Sequence, residues 1–212
     1  MDNNIADSAV AGVVLAGGLS SRMGQNKALI EIEDGEGRSA PQIARAFTLL
    51  SSLVAPCWVS CQADLAYPGY PCLFDTRPRR GPAEGLAVAL RAARDAGARA
   101  ILALSCDLPC MDRKTLEALL AARRSAPAGT LMTVYVDQET DRPEAMAAAY
   151  ETACLPFVEA ALDAERPPRL NSLIPSSRQL RIPYDPAATH AFFNMNRPED
   201  VMKAMDFLRL PT

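Results

Sequence analysis

The stretch Ala11-Gly12-Val13-Val14-Leu15-Ala16-Gly17-Gly18-Leu19-Ser20-Ser21-Arg22-Met23-Gly24-Gln25-Asn26-Lys27 decides the fold. Its first six residues form a short unbroken apolar run, the pattern of a strand covered on both faces as in a parallel sheet. The run ends on Gly17-Gly18, so the strand feeds a glycine-rich loop. Glycines let backbone N–H groups approach a polyphosphate closely, and Arg22 and Lys27 offset its charge, the arginine fork holding two oxygens at once. Gly17, Gly18, Arg22 and Lys27 are therefore candidate phosphate-binding residues. The loop is not a Walker A sequence, since no Gly-Lys-Ser/Thr follows at the required spacing, and it lacks the Gly-x-Gly-x-x-Gly of dinucleotide folds.

Downstream, strand and helix patterns alternate. Residues 41–53 read as a helix, 57–61 as a second strand and 71–74 as a third. A helix over 83–96 keeps Leu86, Ala87, Leu90 and Ala93 on one face and meets Gly97 where a left-handed cap belongs. It leads into the apolar run 100–104, which stops at Ser105-Cys106-Asp107-Leu108-Pro109 and puts Asp107 at a strand's carboxyl end. Asp112 caps a helix over 113–124, and 131–136 reads as another strand. This alternation predicts an α/β fold, a mostly parallel central sheet with helices on both faces, which binds ligands outside the strands' carboxyl ends. Both Gly17-Gly18 and Asp107 fall there. Beyond Asp137 the sequence predicts irregular short pieces broken at Arg142-Pro143, Arg166-Pro167-Pro168 and Ile182-Pro183, then a last helix near 198–208.

Composition narrows the function classes. The chain has 212 residues, 49% hydrophobic and 22% charged, which excludes disorder over most of its length and fits one domain. A net charge of -3 lacks the basic footprint of a nucleic-acid binder, although a local loop suffices for a single nucleotide. No apolar run approaches the roughly 20 residues that span a bilayer, and residues 1–8 are too polar and acidic for a secretory signal, so a soluble cytoplasmic protein without membrane partner is expected. Cys57, Cys61, Cys72, Cys106, Cys110 and Cys154 match neither a zinc spacing nor a disulfide framework and read as buried thiols. His190, the one histidine, has no neighbouring nucleophile and reads as a partly exposed loop residue.

The chain resembles the MobA-like molybdenum cofactor nucleotidyltransferases, and within them the guanylyltransferases. Four segments carry the resemblance: 15–27, then Asp75 with Gly81-Pro82-Ala83-Glu84-Gly85, then Ser105-Cys106-Asp107-Leu108-Pro109, then Phe193-Asn194-Met195-Asn196-Arg197-Pro198-Glu199-Asp200. Together they cover nearly the full chain. The resemblance implies a three-layer α/β/α Rossmann-like nucleotidyltransferase fold over 1–212, with about 1–110 binding nucleotide and about 111–212 binding the acceptor. It implies transfer of GMP from GTP to molybdopterin, giving the guanine dinucleotide and pyrophosphate, with Mg2+ as cofactor. Molybdoenzymes and cofactor-synthesis proteins are the implied protein partners. Carried over by position, Leu15, Ala16, Gly17, Gly18, Lys27, Asp75 and Asp107 contact the nucleotide. Arg22, Lys27 and Asp107 serve catalysis, while Asp107 and Asn196, in preference to Asn194, hold the metal.

This assignment is chemically consistent. Mg2+ takes oxygen ligands, keeps several waters and commonly uses one or two protein groups plus substrate phosphates. A phosphate acceptor is already anionic near neutral pH and needs little general-base help. Gly17, where cytidylyl-transferring relatives tend to carry alanine, favours a purine. The same motifs would also serve a CTP-using relative, another phosphorylated acceptor, or a binding protein without turnover. The chain departs from the family pattern at Ser60 and Gln62, where asparagines are usual, at Glu84, where a small residue is usual, and at Arg197. An acid at position 84 suits a helix N-terminus and opposes a nearby phosphate, so its side chain is expected to turn away. Arg142, Arg169, Asn171 and Arg178 are weaker acceptor-side candidates.

Overall fold

The computed structural model describes residues 9–16, 26–77, 80–165 and 169–210. Strand β1 (Val10–Leu15) is buried at every position, with alternate residues entering cores on opposite faces of the sheet. It is central, pairing in parallel with β4 (Cys57–Cys61) on one side and β6 (Ala100–Ser105) on the other. The seven-stranded sheet runs β5-β4-β1-β6-β8-β7-β9, where β5 is Cys72–Phe74, β7 Met132–Asp137, β8 Pro143–Glu151 and β9 Gln179–Tyr184. Only β8 runs against the rest, antiparallel to both neighbours. A separate antiparallel hairpin joins β2 (Glu31–Glu33) to β3 (Ser39–Pro41).

Helices cover both faces, giving the three-layer α/β/α architecture. On one face α2 (Pro82–Asp95) and α4 (Leu155–Leu162) bury Leu86, Leu90, Val158 and Leu162. On the other α1 (Gln42–Ser51) and α3 (Arg113–Arg124) bury Ile43, Leu50, Leu116 and Leu119. The expected punctuation is present: the Asp112 carboxylate accepts from the Thr115 amide at 2.7 Å, and Gly97 closes α2 at φ 77°. Helix α5 (Pro198–Leu208) stands apart from these layers. Its Val201, Met205 and Leu208 pack with Ile30, Ile32 and the fully buried Met195 in a small third core beneath the hairpin.

The second half corrects the sequence reading. Residues 143–151 form β8, a long strand in the middle of the sheet, where irregular chain was expected. Its Met146-Ala147-Ala148-Ala149 core carries none of the β-branched residues that mark strands. Small side chains fit here because both sheet faces are already filled, and Tyr150 supplies the bulk, fully buried with its hydroxyl on the Ala145 carbonyl at 2.7 Å. Pro143 opens β8, and Pro183 lies in β9, an edge strand paired only to β7, so neither proline removes a needed ladder donor. Arg166-Pro167-Pro168 lies outside the described residues.

The six cysteines are free thiols. Cys61, Cys106, Cys110 and Cys154 are buried, and burial is the main cause that pushes Cys106 and Cys154 up to about 12 and Cys110 to about 11. Such thiols are unreactive at neutral pH. His190 is exposed and stacks on Phe207 with ring centroids 3.8 Å apart.

Candidate active site

A cleft opens at the carboxyl ends of β1, β4 and β6, lined by Leu15, Ala16, Lys27, Ser60, Asp75 and Asp107 among others. Leu15 and Ala16 form its floor as β1 runs out, and the Ala16 amide continues the ladder to the Ser60 carbonyl at 2.9 Å. The first turn of α2 forms one wall. It comes so close to β4 that a Cβ on Gly85 would stand 2.5 Å from the Ser60 hydroxyl. Ser60 itself is buried, so the small residue that departs from the family pattern lets the helix seat here. Gly17, Gly18 and Arg22 lie outside the described residues.

Three distant segments meet at one end of the cleft. Lys27 opens a 3-10 turn (Lys27–Leu29) whose start is fixed by Asn26, the Oδ1 of which accepts from the Ala28 amide at 3.0 Å, while its Nδ2 reaches the Tyr67 hydroxyl at 3.0 Å. The Lys27 ammonium donates to Asn196 Oδ1 at 2.8 Å and stands 3.8 Å from Asp107 Oδ2. Asp107 leaves the end of β6, where it has little freedom: its carbonyl accepts from the Met195 amide at 2.8 Å, and Gln42 Nε2 donates to the preceding Cys106 carbonyl at 3.1 Å. Met195 is wholly buried between exposed Asn194 and Asn196, so it anchors the segment and presents an asparagine on either side. Asp200 then accepts from the Asn196 and Arg197 amides, both at 2.9 Å, closing a cap at the start of α5. Arg197, despite replacing the family's usual residue, still serves as that N-cap.

Asp107 Oδ1 is buried with no hydrogen-bond partner among the described residues. An orphaned carboxylate oxygen beside an amide oxygen fits a hard divalent cation, whose ligands are oxygens. Among the described residues no cluster of three or more histidines, cysteines or acids could hold a metal alone. Ligand phosphates and waters would have to complete any such shell.

The opposite end of the cleft is acidic. Asp75 follows β5, and its amide donates to the Cys61 carbonyl at 3.0 Å. Burial first, and the negative Glu84 second, push its carboxyl up to about 6. Gly81 turns the chain into α2 with φ 66° and ψ -161°, a conformation essentially reserved for glycine. Glu84 turns toward the loop after β5, as described below.

Sequence reasoning identified Asp107 and Lys27 by motif but had no signal for Gln42, whose support of the Asp107 turn spans 64 positions. It also gave Met195 no role. An apolar residue between two polar ones is the one local hint that it is an anchor. The acceptor-side candidates scatter: Arg178 Nε is spent on the Gly129 carbonyl at 2.7 Å, and Arg142 and Arg169 are exposed. Leu170, Leu173 and Ile174 around Asn171 are core residues.

Comparisons with known proteins show the family and the fold. A molybdenum cofactor guanylyltransferase from Rhodobacter capsulatus is 33% identical over 207 residues, covering 94% of this chain and 97% of that protein. A probable molybdenum cofactor guanylyltransferase from Rhodopirellula baltica is 30% identical over 200 residues, covering 92% and 91%. The fold matches the crystal structure of molybdopterin-guanine dinucleotide biosynthesis protein A from Archaeoglobus fulgidus, with a TM-score of 0.70 at 20% identity over 92% of this chain and 97% of that one. Residues 12–179 match the MobA-like NTP transferase domain, so the chain belongs to the MobA-like NTP transferase family.

Proposed function

We propose that this nucleotidyltransferase moves GMP from GTP to the terminal phosphate of molybdopterin, with Mg2+, releasing pyrophosphate. The observation that carries this reading is the meeting of Lys27, Asp107 and Asn196 at one end of the cleft, in a chain whose relatives named guanylyltransferases match nearly its full length. Mg2+ held by Asp107 and Asn196 would neutralise phosphate charge and withdraw electrons from the α-phosphorus. Lys27 lies where it can bind a phosphate oxygen and stabilise charge that builds on the departing pyrophosphate. Arg22 adds a second cation from the preceding loop. Asp75 would bind the nucleoside, the base and sugar would rest on Leu15 and Ala16, and Gly17 and Gly18 would offer backbone N–H groups to the phosphates. The chain's role is positioning: it aligns the acceptor phosphate with the α-phosphorus, and no covalent enzyme intermediate is needed.

A thermal-shift comparison of GTP, CTP, UTP and ATP, each with Mg2+, tests the base. A ligand at about 100 times its dissociation constant stabilises by roughly 2.7 kcal/mol, an easily read shift. A shift selective for GTP is expected, and one selective for CTP overturns the choice of base. Pyrophosphate release on adding molybdopterin tests transfer, and its absence with every nucleotide overturns the activity.

A further inference from the structure

Glu84 is completely removed from solvent. An acid in the third position of a helix ordinarily folds back onto its own helix's first amides. Glu84 reaches instead across the wall of the cleft to the turn after β5. There its Oε1 accepts from the Thr76 hydroxyl at 2.6 Å and from the Thr76 and Arg77 amides, both at 3.1 Å. Its Oε2 is buried with no partner among the described residues, and so is Oδ1 of Asp75, the residue immediately before the clamped turn. Two nearby arginines among the described residues are directed elsewhere: Arg77 pairs with Asp163 at 2.7 Å, and Arg80 donates to the Ala164 carbonyl at 2.8 Å. Burying two carboxylate oxygens without donors costs free energy that folding alone does not recover.

We propose that Glu84 is a positioning residue for nucleotide recognition, clamping the 75–77 turn so that Asp75 presents an acceptor to the donor groups of the nucleoside, and making that acceptor sensitive to pH. The proposal rests on the reading of the cleft as a nucleoside triphosphate site. An ionised carboxylate only accepts hydrogen bonds, so the matching ligand groups are N–H donors of the base or ribose hydroxyls. Three hydrogen bonds to one oxygen fix the turn, and the negative charge behind it opposes ionisation of Asp75. Among the described residues, the other ionisable group coupled to Asp75 is the Cys61 thiol on β4, pushed up to about 12 and so neutral across the working range. Nucleotide affinity therefore falls as pH drops through about 6, where Asp75 takes up a proton.

The test measures GTP binding to the full chain with Mg2+ between pH 5 and 8, in the native protein, Glu84→Gln, Glu84→Ala and Asp75→Asn. The Asp75→Asn profile reports titration of the ligand's own phosphates, which is subtracted. Glutamine keeps the shape and an acceptor for the three donors but removes the charge. In Glu84→Gln the midpoint moves down by about one pH unit while affinity at pH 8 changes less than about twofold. Glu84→Ala loses the clamp and weakens binding about tenfold at every pH. A midpoint unmoved by Glu84→Gln overturns the proposal and leaves Glu84 a structural residue. Should both Glu84 variants fail to fold, Thr76→Val, which removes the 2.6 Å clamp bond, supports the proposal by weakening GTP binding and overturns it by leaving binding unchanged. Inosine triphosphate and 2′-deoxyguanosine triphosphate distinguish the donors: native affinity that drops for the first assigns Asp75 to the base amino group, for the second to the ribose 2′-hydroxyl, and for neither to the donors both analogues keep, the base N1–H or the 3′-hydroxyl. A native chain that binds no nucleotide sinks the reading of the cleft itself, an outcome distinct from all of these.

Discussion

At the Lys27 end of the cleft an ammonium stands 2.8 Å from an amide oxygen and 3.8 Å from a carboxylate, whereas at the Asp75 end two carboxylates each bury an oxygen with no donor among the described residues. The first end carries a cation and a vacant acid suited to phosphate and metal. The second is a surplus of acceptors, suited to the donor groups of a nucleoside. On the proposed reading, one cleft would sort the two chemically opposite parts of a nucleotide by charge, and that would set the direction in which the ligand lies.

Variants at the two ends should fail differently. The largest loss is expected for Asp107→Asn, a fall of about 10²–10³ in kcat with thermal stability nearly preserved, since Oδ1 has no partner among the described residues and the Lys27 contact of Oδ2 is a long ion pair at 3.8 Å. Retained turnover in a pyrophosphate-release assay would remove Asp107 from the reaction. Lys27→Met should lower kcat/KM about 10- to 100-fold, mainly through kcat, the cost of a charge-assisted hydrogen bond that tightens on the reacting phosphate. At the acidic end the loss should sit in KM instead: Asp75→Asn is expected to raise KM for GTP about tenfold and leave kcat nearly unchanged. A kcat effect as large as that of Lys27→Met would erase the distinction between the two ends.

Asp75→Asn also has a stability signature. The folded state holds this carboxyl up at about 6 against an ordinary 3.8, so the fold favours the protonated form and is penalised as the group ionises. The penalty is absent below about 3.8, grows as pH rises between those values and is complete above about 6. Asp75→Asn should therefore raise Tm at pH 8, with a gain on the order of 1 kcal/mol after allowance for its partial exposure, and leave Tm unchanged at pH 3.5. Asn194→Ala, on the far side of buried Met195 from the Lys27 partner, should change kcat/KM less than about twofold. A larger loss would mean that both asparagines serve the phosphate end.

The two ends were also unequally legible in sequence. Lys27 and Asp107 announced themselves because a glycine-rich loop and an acid at a strand end carry their chemistry in local pattern. The hydrogen bond from Lys27 to Asn196 spans 169 positions, and only likeness to a known family could pair them. Glu84 was noticed as an oddity, but its partners Thr76 and Arg77 belong to a different element, so its role was invisible to helix rules. The same contrast holds for the fold. β1, β4, β5 and β6 show as apolar runs and α1, α2 and α3 as periodic faces, and the boundaries of β4 and α3 fall at the expected residues. The hairpin of β2 and β3, made of Glu31-Ile32-Glu33 and Ser39-Ala40-Pro41, carries no apolar run and was not expected. β8 did not show, because alanine is chosen there for the space between two packed faces, a tertiary demand that overrides β propensity.

Met195 gives the molecule an order of completion. Asp107 follows β6, near the middle of the chain, yet its carbonyl is secured only when residue 195 is in place, and Met195 is buried only once α5 packs beneath the hairpin. A chain folded only as far as β9 therefore has every strand of the sheet and still lacks the segment that carries Asn196. Chains clipped between β9 and α5 would keep every strand of the sheet and, on the proposed reading of Asn196, would lose transfer.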